Sequence, residues 1–396
     1  MIYYQRILIK KIQAAMQRGK SVLLFGARQT GKTTLLKHLN PDVSISFIQH
    51  QIRRKYEINP SLLIKEIEAE AQSRQLKRKM IVALDEFQKV PEITDEVQDL
   101  IDRNIAIFIL TGSSARKLKK SKKLNLLPGR VVSLKLDPLT LAEIPKEQQS
   151  LEQLLLFGAL PGIFTLQKET NKETDLDSYV NTYLEEEIRA EALVRNLGLF
   201  SQFLALAAIS SGEIVNFSKI SQEIGQSLMT IKSYYEILED CLIAERIEPL
   251  MKSKTRLKLT KSPKYLLFDL GIRRICAKEG TQLPLEYLGK LFEQFIGLEI
   301  LRFKHLENHR INLKFWRDPD GPEVDWVIEK EGAYIPIEVK YTEVPKEKDI
   351  RHLKIFLTEY KNTKMGYVVC RAQRRLKLAE NILAIPWQEL LEILKG

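Results

Sequence analysis

The stretch that most constrains the fold is Gly26-Ala27-Arg28-Gln29-Thr30-Gly31-Lys32-Thr33, with Thr34 following it. It fits the pattern G-x-x-x-x-G-K-[ST] and stands between an apolar run, Val22 to Phe25, and a helix-like segment, Thr33 to Leu39. Glycines at the two ends let the backbone turn tightly, so that successive N–H groups converge on an anion. The helix that starts beside Gly31 adds the positive end of its dipole. The loop from Gly26 to Thr34 therefore predicts a nucleotide phosphate site, with ATP and Mg²⁺ as cofactors. Lys32 would reach the β- and γ-phosphates and the Thr33 hydroxyl would hold the metal.

A strand–loop–helix start of this kind requires acidic and polar groups on neighbouring strand ends. Met80 to Leu84 is an apolar run ending in Asp85-Glu86, as expected of a buried parallel strand whose carboxylates lie at the ligand-binding edge. Asp85 is expected to bind Mg²⁺ directly or through water, and Glu86 to act as general base toward the attacking water. Ile105 to Leu110 reads as the next strand and ends in Thr111-Gly112-Ser113-Ser114. Ser113 and Thr111 are candidates to touch the γ-phosphate or the water, and helix capping explains Ser113 and Ser114 equally well. Arg130, in Leu127-Pro128-Gly129-Arg130 before the strand Val131 to Leu136, is placed to act as an arginine finger on the γ-phosphate of a neighbouring subunit. That reading implies a homo-oligomer.

The chain has 396 residues, 44% of them hydrophobic and 29% charged. This is the composition of a multidomain globular protein. No apolar run approaches the ~18 residues of a membrane span, and the N-terminus lacks the layout of a secretory signal. Cys241, Cys276 and Cys370 are far apart, and five histidines show no metal-ligand spacing. A disulfide framework and a zinc site are therefore not expected, and the expected compartment is the cytoplasm. The net charge of +11 favours a polyanionic partner such as DNA, RNA or an anionic membrane surface, while plain solubility charge explains it too. The basic run from Lys117 to Lys123 is read first as a solvated helix face.

Four segments are expected. Residues 1–139 form an α/β ATPase domain with a parallel sheet, and 140–198 a helical lid or connector. Residues 199–260 form a winged helix-turn-helix, and 261–396 a second α/β domain. In the third, Phe217 to Ile224 is a first helix, Gly225 the turn and Met229 to Glu239 the second helix, with Thr230, Lys232, Ser233 and Tyr234 on its exposed side. Contact with a DNA major groove and a packing or oligomerisation role stand side by side for this module. In the fourth, a helix over 285–306 carries Glu293 among apolar residues, and strands follow at Ile311–Trp316, Glu323–Ile328 and Ala333–Val339. Glu338 and Lys340 share a face, being two apart on a strand, and a hairpin through Glu331-Gly332 can set Asp325 beside them. Two carboxylates and a lysine at a sheet end, with Glu293 as a third carboxylate, can bind Mg²⁺ and activate water at a phosphodiester. A charged hairpin with a surface ion pair is the plainer alternative.

The whole set of motifs resembles an AAA-type P-loop ATPase family of bacteria and archaea. Its members carry a C-terminal domain of unknown function similar to PD-(D/E)xK restriction endonucleases. The resemblance rests on Gly26–Thr34, Leu84-Asp85-Glu86, Leu110–Ser114, Pro128-Gly129-Arg130 and Leu136–Leu139 with Glu143. It continues through Gly158-x-x-Pro161, Lys261-Ser262-Pro263-Lys264, Asp269-x-Gly271, Glu293, Glu323-Val324-Asp325 and Ile337–Lys340. Ala27 departs from the proline usual in that loop. The resemblance implies a Mg²⁺-dependent ATPase with Glu293, Asp325, Glu338 and Lys340 matching a nuclease-type core. A DNA-binding switch with little turnover and an ATP-regulated DNA nuclease are the alternatives.

Overall fold

The computed structural model describes residues 3–75, 77–114, 129–184, 196–251, 262–307, 310–318 and 321–395. The basic run Lys117–Lys123, Pro128, the acidic Glu185–Glu187 and the basic segment from Lys252 to Lys261 lie outside the described residues. The chain divides into two compact units: the described residues up to Leu139 together with Asp240–Leu242, and the remainder from Thr140 onward. The expected connector, winged-helix and nuclease-like segments all fall mainly in the second.

The first unit is an α/β layer structure. Strands β1 (Ser21–Phe25), β2 (Val43–Ser46), β3 (Met80–Asp85), β4 (Ala106–Gly112) and β5 (Val131–Lys135) form one sheet in the order β2-β3-β4-β1-β5, every pair parallel. Helices α1 (Leu8–Gln17), α2 (Lys32–His38), α3 (His50–Ile58), α4 (Leu62–Arg74) and α5 (Thr94–Asp102) connect or flank them. A parallel strand covered on both faces needs a continuous apolar run, and β4 is buried at every position. Phe47, Val82, Leu84, Phe108 and Leu110 meet in the core on one face. Because β4 lies between β1 and β3, its C-terminal Thr111-Gly112 sits between the phosphate loop and Asp85. The sequence alternates over residues 43–49 as a strand would, but the ladder stops at Ser46. Phe47 turns into the core and its N–H donates to Asp85 O at 3.0 Å, ending the ladder.

In the second unit, helices Phe217–Ile224 and Leu228–Asp240 flank Gly225, whose φ of 67° makes the turn. Asn216 caps the first helix by accepting from Lys219 N at 3.0 Å, and Ser227 caps the second by accepting from Thr230 N at 3.1 Å. Tyr234 corrects the sequence reading: it is buried, with its ring 5.0 Å from Phe200 and 5.2 Å from Phe203. It stands three residues after Ile231 and four before Leu238, so it shares their buried stripe. The exposed side is left to Met229, Lys232 and Glu236.

Eight strands make the second sheet, in the order β12-β13-β11-β10-β9-β8-β6-β7. They are β6 (Ala244–Pro249), β7 (Lys264–Leu267), β8 (Ile311–Arg317), β9 (Glu323–Lys330), β10 (Ala333–Lys340), β11 (Gly366–Cys370), β12 (Leu376–Ala379) and β13 (Ile382–Pro386). The sequence boundary at 260/261 falls between β6 and β7, which pair antiparallel. β9 and β10 form a hairpin closed by Glu331 (φ 50°) and Gly332 (φ 82°), the positive-φ pair that a two-residue turn demands. The helix Leu285–Leu306 packs on β8 and β10. Trp316, Tyr334, Phe356 and Tyr360 build an aromatic cluster on the other side of the hairpin's core.

Candidate functional site

The phosphate loop leaves β1 at the C-terminal edge of the sheet. A Cβ on Gly26 would stand 2.5 Å from Leu136 O and 2.9 Å from Thr30 Oγ1, so no larger residue fits there. Gly31 sits at φ 96° ahead of α2, a conformation that favours glycine. Gln29 also takes a positive φ, 62°, in the turn. Thr30 is fully buried and its hydroxyl donates to Ala27 O at 2.9 Å, bracing the loop from inside. Lys32 is buried and its Nζ donates to Gly26 O at 2.8 Å and Ala27 O at 3.0 Å, which puts the ammonium across the loop. Ala27 is buried, Arg28 half-buried, and Gln29, Thr33 and Thr34 are exposed.

The acid pair meets the loop as its strand order requires. Thr33 Oγ1 donates to Asp85 Oδ2 at 3.1 Å, and Ser46 Oγ donates to the same oxygen at 3.4 Å. Thr111 Oγ1 donates to Asp85 Oδ1 at 2.6 Å and accepts from Glu86 N at 3.1 Å. Glu86 takes a left-handed conformation, φ 58°, which turns its carboxylate off the strand. Gln88 Nε2 and Ser113 Oγ both donate to Glu86 Oε2, at 2.7 and 3.1 Å. Thr33, Asp85, Glu86, Thr111 and Ser113 thus form one connected group beside Lys32. The donor set suits Mg²⁺, a hard cation that takes oxygen ligands: a hydroxyl and a carboxylate oxygen face each other at the loop.

Besides Ser46, two residues outside the motifs join this site. Gln88 bridges Glu86 and Ser113, donating to Ser113 Oγ at 3.2 Å. Arg6 is buried, and its guanidinium donates to Thr30 O at 2.7 Å and to Asp137 O at 2.6 Å. Neither sits in a recognisable pattern. The signal for Arg6 is a charged residue on the flank of an amphipathic helix, which only the fold shows to be internal. Arg130 is not brought to this site. It precedes β5 at the N-terminal edge of the sheet, opposite the loop, and its Nε and Nη2 donate to both oxygens of Asp102, at 2.6 and 2.9 Å.

The second cluster is assembled from four separate elements of the second unit. Asp325 on β9 accepts from Val339 N at 2.8 Å, which ties it to β10 beside Glu338. Lys340 Nζ lies 2.7 Å from Glu338 Oε1. Glu293, on the long helix, faces Lys264 of β7 instead, Nζ to Oε1 2.9 Å. Among the described residues Glu293, Asp325 and Glu338 do not bring three ligand oxygens within 4.8 Å of one another. The expected three-carboxylate ligand set is therefore open, with Asp325 and Glu338 on one side and Glu293 held by a lysine on the other. Glu338 is 5% exposed, and its Oε2 has no hydrogen-bond partner among the described residues.

Burial pushes all three carboxylates up to about 7, the Glu293 and Asp325 shifts being raised further by neighbouring carboxylates. Burial pulls Lys264 and Lys340 down, yet the surrounding carboxylates outweigh it and hold both ammoniums above the usual lysine range. An uncompensated buried negative charge of this kind is what a cation relieves. Lys264 belongs to a basic stretch of the sequence, but nothing in its spacing assigns it to this cluster.

Comparison with known proteins matches three stretches of the chain. Residues 18–145 match a family model described as an AAA domain. Residues 148–282 and 288–390 match two models, each described as a domain of unknown function. Uncharacterized proteins of Mycobacterium bovis and Mycobacterium tuberculosis are each 23% identical over 399 residues, covering 99% of this chain and 85% of the relative. An uncharacterized protein of Haemophilus influenzae is 25% identical over 255 residues, 60% of each chain. Among solved structures, the Aeropyrum pernix ORC1 protein in complex with DNA is similar over 70% of this chain and 93% of its own, at 11% identity and a TM-score of 0.30. Cdc6p from Pyrobaculum aerophilum covers 69% and 92% at 13% identity and a TM-score of 0.27. No helix among the described residues is long and apolar enough to cross a membrane. The AAA match takes in the whole phosphate loop, the Asp85-Glu86 pair and Ser113, so the first unit is similar to AAA-type P-loop ATPase domains.

Proposed function

We propose that the first unit binds ATP with Mg²⁺ and hydrolyses it, and that the nucleotide state acts on the second unit. The observation that carries this reading is the connected group from Thr33 through Asp85 and Thr111 to Glu86 and Ser113, set against the loop. The loop N–H groups and Lys32 hold the phosphates, and Thr33 and Asp85 would hold the metal. Mg²⁺, when bound, offsets the negative charge of the β- and γ-phosphates. Glu86 takes the proton of the attacking water, while Gln88 and Ser113 fix the orientation of its carboxylate. Arg130 fits this reading as a finger reaching the γ-phosphate of a second copy, which requires it to leave Asp102. ATP hydrolysis by the wild type and by Lys32→Ala tests the reading, and equal rates would end it. Turnover per chain that rises with protein concentration, and loses that rise in Arg130→Ala, tests the oligomer.

The chain is read as an ATPase domain over 1–139, a connector over 140–198, a winged helix over 199–260 and a nuclease-like domain over 261–396. A second activity in the last of these, hydrolysis of a DNA phosphodiester, is favoured by Glu338 Oε2, without a hydrogen-bond partner among the described residues, beside Asp325 and Lys340. Asp325 and Glu338 would hold Mg²⁺, and Lys340 would orient the attacking water. Plasmid incubated with Mg²⁺ or Mn²⁺, with and without ATP, against Glu338→Gln is the test. Plasmid left intact by the wild type in every condition removes this activity and leaves the ATPase reading standing. Groove reading by the second helix of the winged-helix segment has weaker support, since its exposed side offers one lysine, Lys232, beside Glu236.

A further inference from the structure

A pocket of about 360 Å³ opens beside the second carboxylate cluster, lined by Lys264, Lys290, Arg317, Glu293, Gln294 and Asp325 among others. Its three cations are not equivalent. Lys290 and Arg317 lie at the rim, more than two-fifths exposed and paired with the exposed Glu213 and Glu323. Lys264 is 11% exposed and fixed from two sides. Its Nζ lies 2.9 Å from Glu293 Oε1 and stands over the rings of Trp326 and Phe315, 4.9 and 5.3 Å from their centroids. Trp326 is itself anchored, its Nε1 donating to Glu293 O at 3.0 Å. An ammonium packed on aromatic faces is held in place by the ring quadrupoles as well as by its carboxylate. Two polar atoms nearby are left over. Glu338 Oε2 and Gln294 Oε1 are buried and have no partner among the described residues, and Gln294 lines the pocket.

We propose that Lys264 is the fixed second cation of a one-metal phosphodiester site: its ammonium occupies the position on Glu293 that a second divalent ion would take. The inference rests on the nuclease-like reading of Asp325 and Glu338. Charge supports it. Three carboxylates against two ammoniums, Lys264 and Lys340, leave one negative charge, so one divalent ion and one phosphodiester bring the site to neutrality, and a second divalent ion overcharges it. Geometry supports it too. Two-metal phosphodiester sites hold their ions roughly 3.5–4 Å apart on shared carboxylates, whereas Glu293 is turned to Lys264 and the three carboxylates are not gathered. Lys264 then serves as a phosphate-binding cation facing the pocket, doing with a fixed charge what the second ion does elsewhere.

The test is Mn²⁺ binding to the full chain, free of nucleotide and carrying Asp85→Asn to silence the phosphate loop. The wild-type cluster is expected to take one Mn²⁺ with an uncoupled six-line magnetic resonance spectrum. A spin-coupled Mn²⁺ pair in the wild type would overturn the proposal without any further variant. Lys264→Gln and Lys264→Met, checked for folding by their melting curves, are expected to gain a second Mn²⁺ or to bind the first at least tenfold tighter. Adding Glu293→Gln should cancel the gain, and Lys264→Arg should behave as wild type. Unchanged binding in Lys264→Gln, with wild-type binding that still depends on Glu338, overturns the role of Lys264 and leaves the metal reading intact. No Mn²⁺ binding in the wild type or the variants, and no effect of Glu338→Gln, overturns both.

Discussion

The two polar clusters of this chain differ in how their charges are satisfied. At the phosphate loop, Asp85 and Glu86 each meet hydroxyl or amide donors, and the backbone is shaped around them by Gly26, Gly31 and a left-handed Glu86. In the second unit the carboxylates are crowded by protein, raised by burial, and relieved by Lys264, Lys340 and, at Asp325, the Val339 N–H. A site held by neutral donors is preorganised whichever ligand is present. A site held by buried charges responds to anything that changes those charges, whether a proton, a metal or a lysine. The first cluster should therefore fail sharply when single groups are removed, and the second should shift gradually with pH and cation.

The largest effect is expected at Glu86. Glu86→Gln keeps the hydrogen-bonding shape but removes the proposed base, and kcat for ATP should fall about 100-fold or more, in the range of general-base losses. Nucleotide affinity should stay within a few-fold, because the loop and Lys32 are untouched. A fluorescent ATP analogue and a phosphate-release assay separate the two quantities. A parallel loss of affinity would mean that Glu86 shapes the loop and does not act in the chemistry.

Next comes Gly26→Ala. The added Cβ meets a backbone oxygen, Leu136 O, at 2.5 Å, and backbone cannot swing aside as a side chain can. The loop must shift, and nucleotide affinity should drop by about tenfold or more, a cost of at least ~1.4 kcal/mol. Wild-type affinity in this variant would show that the loop takes up the clash without moving its N–H groups.

A smaller change is expected at Arg6. It fastens the carbonyl of Thr30 to the strand exit at Asp137 from a buried position. Arg6→Lys keeps the charge but loses the fork that reaches both carbonyls, and charge-assisted bonds of this type contribute about 1.5–3 kcal/mol each. The melting temperature of the first unit should fall by several degrees, and KM for ATP should rise more than kcat falls. Equal changes in the two would assign Arg6 to the chemistry itself.

The same contrast explains what is legible in the sequence. The phosphate loop is contiguous, so its glycines and Lys32 announce themselves, and the apolar runs ending in Asp85-Glu86 and Thr111 place the rest at the strand ends. The sheet order itself comes from the structure, which sets β4 between β1 and β3. Asp325, Glu338 and Lys340 can be brought together because a hairpin and a two-residue period fix their relation. Lys264 cannot: its strand pairs with β6, far from β9 in the sheet order, and only the packing of the long helix carries Glu293 to it. Tyr234 escapes a sequence reading for a related reason. A tyrosine beside polar neighbours fits either side of a helix, and the choice is made by Phe200 and Phe203 from another element. Contacts set by local period are readable, and contacts set by tertiary packing are not.

The gradual response of the second cluster gives the last prediction. Glu338, Asp325 and Glu293 are pushed up to about 7, from the carboxylate range near 4 that they have when unfolded. Between those limits the folded chain binds more protons than the unfolded one, so these groups lower stability progressively as pH rises from about 4 to about 7, and the loss is complete above it. Lys264 and Lys340 titrate above the usual lysine range and add no slope in that window. In buffer with a chelator, the melting temperature of Glu338→Gln minus that of the wild type should therefore increase from pH 5 to pH 8. One isolated group shifted this far would contribute about 3 kcal/mol, but the three carboxylates share their protons, so the difference should be on the order of 1 kcal/mol, or about 2–4 °C for a domain of this size. Mn²⁺ should erase the difference in slope by stabilising the ionised wild-type carboxylates, an effect that the neutral amide of the Glu338→Gln variant cannot share. A flat difference with chelator would mean that Glu338 is already ionised at pH 5, its charge met in full by Lys340, and the cluster would then resemble the phosphate loop more than it contrasts with it.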